Sequence, residues 1–166
     1  MPIRREGWIA CLVLCIFALG CGEHEEEGGI EAPAVDRPAM GKNFGDDWTF
    51  VTGYTGGRGF DTDHHFFVIL ADRPVYGCDG WHEIDEPYNV VSFRARREVG
   101  AHRGILSFTE RNPGGAHPSV LTEDPGNRPY IIVDEITDDH ILGEIDGFAD
   151  PDNYVSGRFS AVICHD

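Results

Sequence analysis

The stretch Phe60-Asp61-Thr62-Asp63-His64-His65 sets two carboxylates and an imidazole at alternate positions, so Asp61, Asp63 and His65 share one face if the backbone is extended. Such a set can hold Zn²⁺ or Mn²⁺. It needs a further convergent ligand, for which His82, His140 and His165 are the candidates, and no H-x-H, H-E-x-x-H or paired-cysteine spacing supplies one nearby. A polar turn leading into a strand, with His64 and His65 at its solvated end, accounts for the same residues without an ion.

Asp146, Asp150, Asp152 and Asn153 gather hard oxygen ligands of the kind Ca²⁺ takes, but not at the D-x-[DN]-x-[DN]-G spacing of a calcium loop. Asp and Asn hydrogen-bond their own backbone in tight turns, which explains Asp150 and Asp152 without calcium. The glycine-rich "GYTGGRGF" has no Lys-Ser/Thr and no helix after it, so it reads as a loop and not as a phosphate cradle. There is no G-x-S-x-G nucleophile elbow. With 29 acidic side chains, some pair will fall at glycosidase separation by chance, so carboxylate pairs discriminate nothing. Trp48, Trp81, Tyr88 and Tyr130 are the aromatics able to line a sugar or peptide groove. Trp81 and nearby Tyr88, in "CDGWHEIDEPY", form the candidate ligand surface.

The elements that would position these groups are strands. From Trp48 onward, short runs of Val, Ile, Phe, Tyr and Thr are bounded by Gly, Pro, Asn and Asp clusters. The expected strands are "WTFVTGYT", "HHFFVILA", "NVVSFRARRE", "RGILSFTE", "RPYIIVDEIT", "HILGEIDGFA" and "YVSGRFSAVIC". Val91, Phe93 and Ala95 alternate against Ser92, Arg94 and Arg96. Val155, Gly157, Phe159, Ala161 and Ile163 alternate against Tyr154, Ser156, Arg158 and Ser160. Each such strand buries one face and wets the other. "HHFFVILA" is apolar on both faces, as a covered central strand would be. The two runs around "DPDN" read as a closing hairpin. The expectation is an all-β fold: an antiparallel β-sandwich or small flattened barrel of about seven strands.

The chain begins with Arg4 and Arg5, an apolar run from Trp8 to Leu19, and then Ala18-Leu19-Gly20-Cys21. As a helix that run reaches about 18 Å against about 30 Å of hydrocarbon, too short to span but suited to an export signal. The junction resembles the lipobox of bacterial lipoproteins, in which the cysteine is lipidated and becomes the new N-terminus. Ala18 departs from the Leu usual there. The resemblance implies a signal peptide over 1–20 and an acylated Cys21. Gly22 after it favours the outer membrane under the enteric sorting rule. Cys11 and Cys15 then leave with the signal, and of five cysteines only Cys78 and Cys164 remain as an even pair for a disulfide. Closing so long a loop contributes on the order of 4 kcal/mol.

Residues 21–47 hold few core-forming side chains and many Glu, Gly, Pro and Ala, which reads as a flexible acidic tether of roughly 30 Å. His24 beside Glu23, Glu25, Glu26 and Glu27 belongs to that solvated stalk. Residues 48–166 then form one β-domain. A strand ending near "VILAD" with Cys78 a few residues on, then a final hairpin with "SGRF" and Cys164 at its end, resembles small secreted β-domains of bacterial lipoproteins whose function is unassigned. A net charge of −16 repels phosphate backbones and excludes nucleic acid as a partner. The expectation is a non-catalytic, lipid-anchored binding or structural module of the cell envelope, without a cofactor. Its partners are the bilayer, through Cys21, and an envelope protein, peptide or glycan. The alternative is a metal-dependent hydrolase using Asp61, Asp63 and His65.

Overall fold

Alternation along the last strand decides how the sheet closes. Val155, Phe159 and Ala161 are buried while Tyr154 and Ser156 are exposed, so one edge of every second residue seals an interior and the other meets solvent. A computed structural model, which describes residues 33–56, 61–75, 78, 86–122 and 128–165, contains eleven strands, with no helix among the described residues. They are β1 (Met40–Asn43), β2 (Asp46–Thr49), β3 (Thr52–Thr55), β4 (His65–Ala71), β5 (Tyr88–Arg96), β6 (Gly100–Arg103), β7 (Leu106–Arg111), β8 (Ser119–Leu121), β9 (Tyr130–Ile136), β10 (His140–Asp150) and β11 (Asn153–Val162).

Nine of them follow the order β6-β9-β10-β11-β3-β4-β5-β7-β8, and the sheet curls into a half-barrel; β1 pairs with β11 and β2. All pairings are antiparallel except that of β11 with β3, which is parallel and rests on Val162 opposite Tyr54. The all-β expectation therefore holds, with more and shorter strands than the seven expected. The curl brings Phe93 of β5 against Phe159 of β11, edge to face with ring centroids 5.2 Å apart, in the middle of the core.

Strand β4 lies between β3 and β5 and is covered on both faces. Phe66, Val68 and Leu70 enter the main core, whereas Ile69 and Ala71 join a second cluster on the outside with Tyr54, Val75, Tyr88 and Val90. The disulfide between Cys78 and Cys164, with Cα atoms 5.7 Å apart, fastens the segment after β4 to the second residue past the end of β11, and Cys164 packs against that second cluster.

The "DPDN" hairpin forms as expected, with Asp150 opposite Asn153 and Pro151-Asp152 at its tip. The run "WTFVTGYT" is two strands and not one. At Phe50–Val51 the chain changes partners, the Phe50 N–H donating to Ala39 and the Val51 N–H to Ala71. The expected tether also ends earlier than residue 47. Residues 40–47 hold β1 and the start of β2, and Ala39 and Asn43 are fully buried. Composition misses this because the strand is held by backbone pairing and by Asn43 Nδ2 donating to the Val90 carbonyl, at 3.0 Å, and not by apolar side chains. Residues 21–32 of the expected tether, and Cys21 itself, lie outside the described residues.

Candidate functional site

The turn before β4 commits its residues to structure. Asp61 Oδ1 accepts the Phe67 N–H at 2.8 Å, its other oxygen faces Arg97 at 3.5 Å, and Thr62 Oγ1 accepts the N–H groups of His64 and His65. Asp63 is exposed. The remaining histidines disperse. His140 meets Thr137 Oγ1 through Nδ1, His165 Nε2 lies 2.7 Å from the Asp138 carbonyl, and His102 Nε2 lies 3.3 Å from the Arg94 carbonyl. Among the described residues no three His, Cys, Asp or Glu side chains converge on a common point. His82 and Trp81 lie outside them.

At the β10–β11 tip, Asp150 Oδ1 accepts the Asp152 N–H at 2.9 Å and Asn153 Nδ2 at 3.0 Å, the Asx arrangement expected of an aspartate-rich turn. The neighbouring β1–β2 hairpin docks on it. Phe44 and Gly45 both have positive φ, as a two-residue hairpin turn demands, and their N–H groups donate to Asn153 Oδ1 and the Asp152 carbonyl.

The aromatics divide into two sets. Trp48 is core, 1% exposed, with Nε1 donating to the Asn89 carbonyl at 3.2 Å. Tyr88 is 5% exposed and belongs to the outer cluster, with the Arg73 guanidinium 5.6 Å from its ring centroid, so it is packed instead of offered to a ligand. Burial pushes the Tyr54 hydroxyl far above its ordinary range, helped by Tyr88 and opposed by Arg111, and it raises Tyr88 as well. Burial also raises the Asp72 carboxyl, although the Asn89 N–H and Arg73 favour its charged form.

Tyr130, by contrast, is 45% exposed and stands in a row. By register, Phe148 of β10 is opposite Tyr154 of β11, Tyr130 of β9 is opposite Asp146, and Met40 of β1 is opposite Ser156. Tyr130, Phe148, Tyr154 and Met40 therefore succeed one another across four adjacent strands, either directly opposite, with Cβ atoms about 5 Å apart, or diagonal at about 7–8 Å. Their exposures are 45, 46, 38 and 56%. The outward aim of Phe148 depends on Gly147, which faces inward where a Cβ would strike Leu106 Cδ1 and Pro129. Beside the row stand Asp146 and Asp47, with Lys42 opposite both Tyr154 and Asp47. Farther along the same face the Arg158 guanidinium pairs with Asp36 at 3.1 Å, Asp134 at 3.0 Å and Glu144 at 3.8 Å.

Sequence reading named Tyr130 and placed Tyr154 on the wet face, but it did not find Phe148 or Met40. The signal for Phe148 was present: it falls at even positions while Ile141 and Ile145 fall at odd ones. Compared with known proteins, this chain gives no match among family models, curated proteins or solved structures. Fold and face together define it as a disulfide-fastened, half-barrel β-domain that presents an open aromatic sheet face.

Proposed function

We propose that this chain is a lipid-anchored module of the cell envelope, held to the bilayer by acylated Cys21, whose β-domain binds a partner and performs no chemistry of its own. The observation that carries the reading is the Cys78–Cys164 disulfide. Structural disulfides persist in oxidising compartments, so the bond supports export, the same destination implied by the lipobox-like Gly20-Cys21 junction. The exposed row of Tyr130, Phe148, Tyr154 and Met40 supports binding, since apolar patches rimmed by polar groups mark interaction sites. Asp61 gives the hydrolase alternative no support, because its carboxylate is engaged by Phe67 and Arg97.

The test is fractionation. Wild-type chain is expected in the membrane fraction with an acylated N-terminal Cys21, and Cys21→Ser in the soluble fraction. A Cys21→Ser protein that still sediments with membranes after a high-salt wash overturns the anchoring.

A further inference from the structure

We infer that the open face of β9, β10, β11 and β1 docks an extended, lysine- or arginine-bearing segment of another protein. This rests on the reading of the domain as a binding module and names its partner class. The row Tyr130, Phe148, Tyr154 and Met40 crosses four strands, about 14 Å at the usual strand spacing, which is the length of some four residues of extended peptide. Its rings and thioether offer contact to the alkyl stems of long cationic side chains, and the ring faces attract the charges at their ends.

Charge selects this occupant. Asp146 and Asp47 have no ion-pair or hydrogen-bond partner for their carboxylates among the described residues, and Asp46 and Asp152 stand at the adjoining hairpin tips. Among the described residues Lys42, Arg103 and Arg128 are the cations near the row, and Arg158 is already shared among three carboxylates. On a chain of net charge −16 the face is complementary to a cation. A second copy of the chain would set these carboxylates against their own equivalents. An anionic bilayer surface would be repelled, and a neutral saccharide would stack on the rings but leave the charge uncompensated.

The experiment uses purified full-length chain in detergent, so it reads the face wherever the chain is anchored, and failure here leaves the fractionation result standing. The probe is a labelled ten-residue peptide alternating lysine with leucine, followed by fluorescence anisotropy at low and high salt. Its glutamate-for-lysine counterpart, a chitin oligosaccharide and phosphatidylcholine–phosphatidylglycerol vesicles are the competing ligands. Saturable binding of the lysine peptide is expected. The Phe148→Ala/Tyr154→Ala double variant should weaken it at least about tenfold with formal charge unchanged, and Asp146→Asn/Asp47→Asn should weaken it and flatten its salt dependence. Thermal melting checks that the variants remain folded. Equal affinity for wild type and the aromatic double variant would reduce the effect to general acidity and overturn the proposal. Absence of lysine-peptide binding, preference for the saccharide or the vesicles, or self-association in place of binding would also overturn it.

Discussion

The half-barrel has two outer faces built by the same alternation and finished in opposite ways. Outside β3, β4 and β5, the outward residues Tyr54, Ile69, Tyr88 and Val90 form a sealed second cluster together with Val75 and the disulfide-bonded Cys164. Outside β9, β10, β11 and β1, the outward residues include Tyr130, Phe148, Tyr154 and Met40, which stay bare with carboxylates between them. Aromatic side chains on an outer face therefore carry no fixed meaning. What decides is whether the chain supplies a cover, and on the first face it does so with a covalent bond.

The largest expected effect comes from removing that bond. Replacing Cys78 and Cys164 by Ser should cost about 4 kcal/mol in chain-entropy terms. It should also raise amide exchange around Ile69 and Val90 while leaving Phe148 and Tyr154 unaffected, read by denaturant melts and hydrogen exchange. Equal loosening of both faces would mean that the disulfide stabilises globally and does not seal one side. Single truncations come next. Ile69→Ala on the sealed face should destabilise by about 3 kcal/mol, whereas Tyr154→Ala on the open face should stay within about 0.5 kcal/mol. Similar costs at the two sites would erase the distinction.

The smallest effect is a slope with pH. His102 is held below its ordinary pKa chiefly by burial, with Arg96 and His65 adding to the depression and the Arg94 carbonyl and Glu98 opposing it. The unfolded chain therefore takes up a proton that the folded one resists. Stability should fall as pH drops below the ordinary imidazole pKa of about 6.5, down to the depressed folded value. His102→Gln should flatten that part of the profile in melts across pH. An unchanged slope would assign the acid sensitivity to other groups.

The strands that were legible in the sequence are those with two-residue periodicity and a buried partner face. Val91, Phe93 and Ala95 declare β5, and Val155, Phe159 and Ala161 declare β11. Strands β1, β6 and β8 were not legible. "MGKN", "GAHR" and "SVL" are too short for a period; β6 and β8 are edge strands and β1 sits between β2 and β11, each held by backbone pairing more than by side-chain burial. The disulfide followed from cysteine count once the lipobox resemblance had set aside the other three. The aspartate turns followed from composition. The open aromatic row could not be read as a unit, because it needs the register of β9, β10 and β11 and, for Met40, the pairing of β1 with β11 more than a hundred residues away in sequence.

That pairing also sets an order of events in time. Met40 waits for Ser156, Phe44 for Asn153, and Cys78 for a partner 86 residues downstream. A chain emerging from its N-terminus can pair β1 with β2 at once, but the other edge of β1 stays unmated until β11 has appeared. Contacts of such sequence separation slow the search for the native state. During that delay β1 is an open hydrogen-bonding edge, and protecting it falls to whatever accompanies the nascent chain.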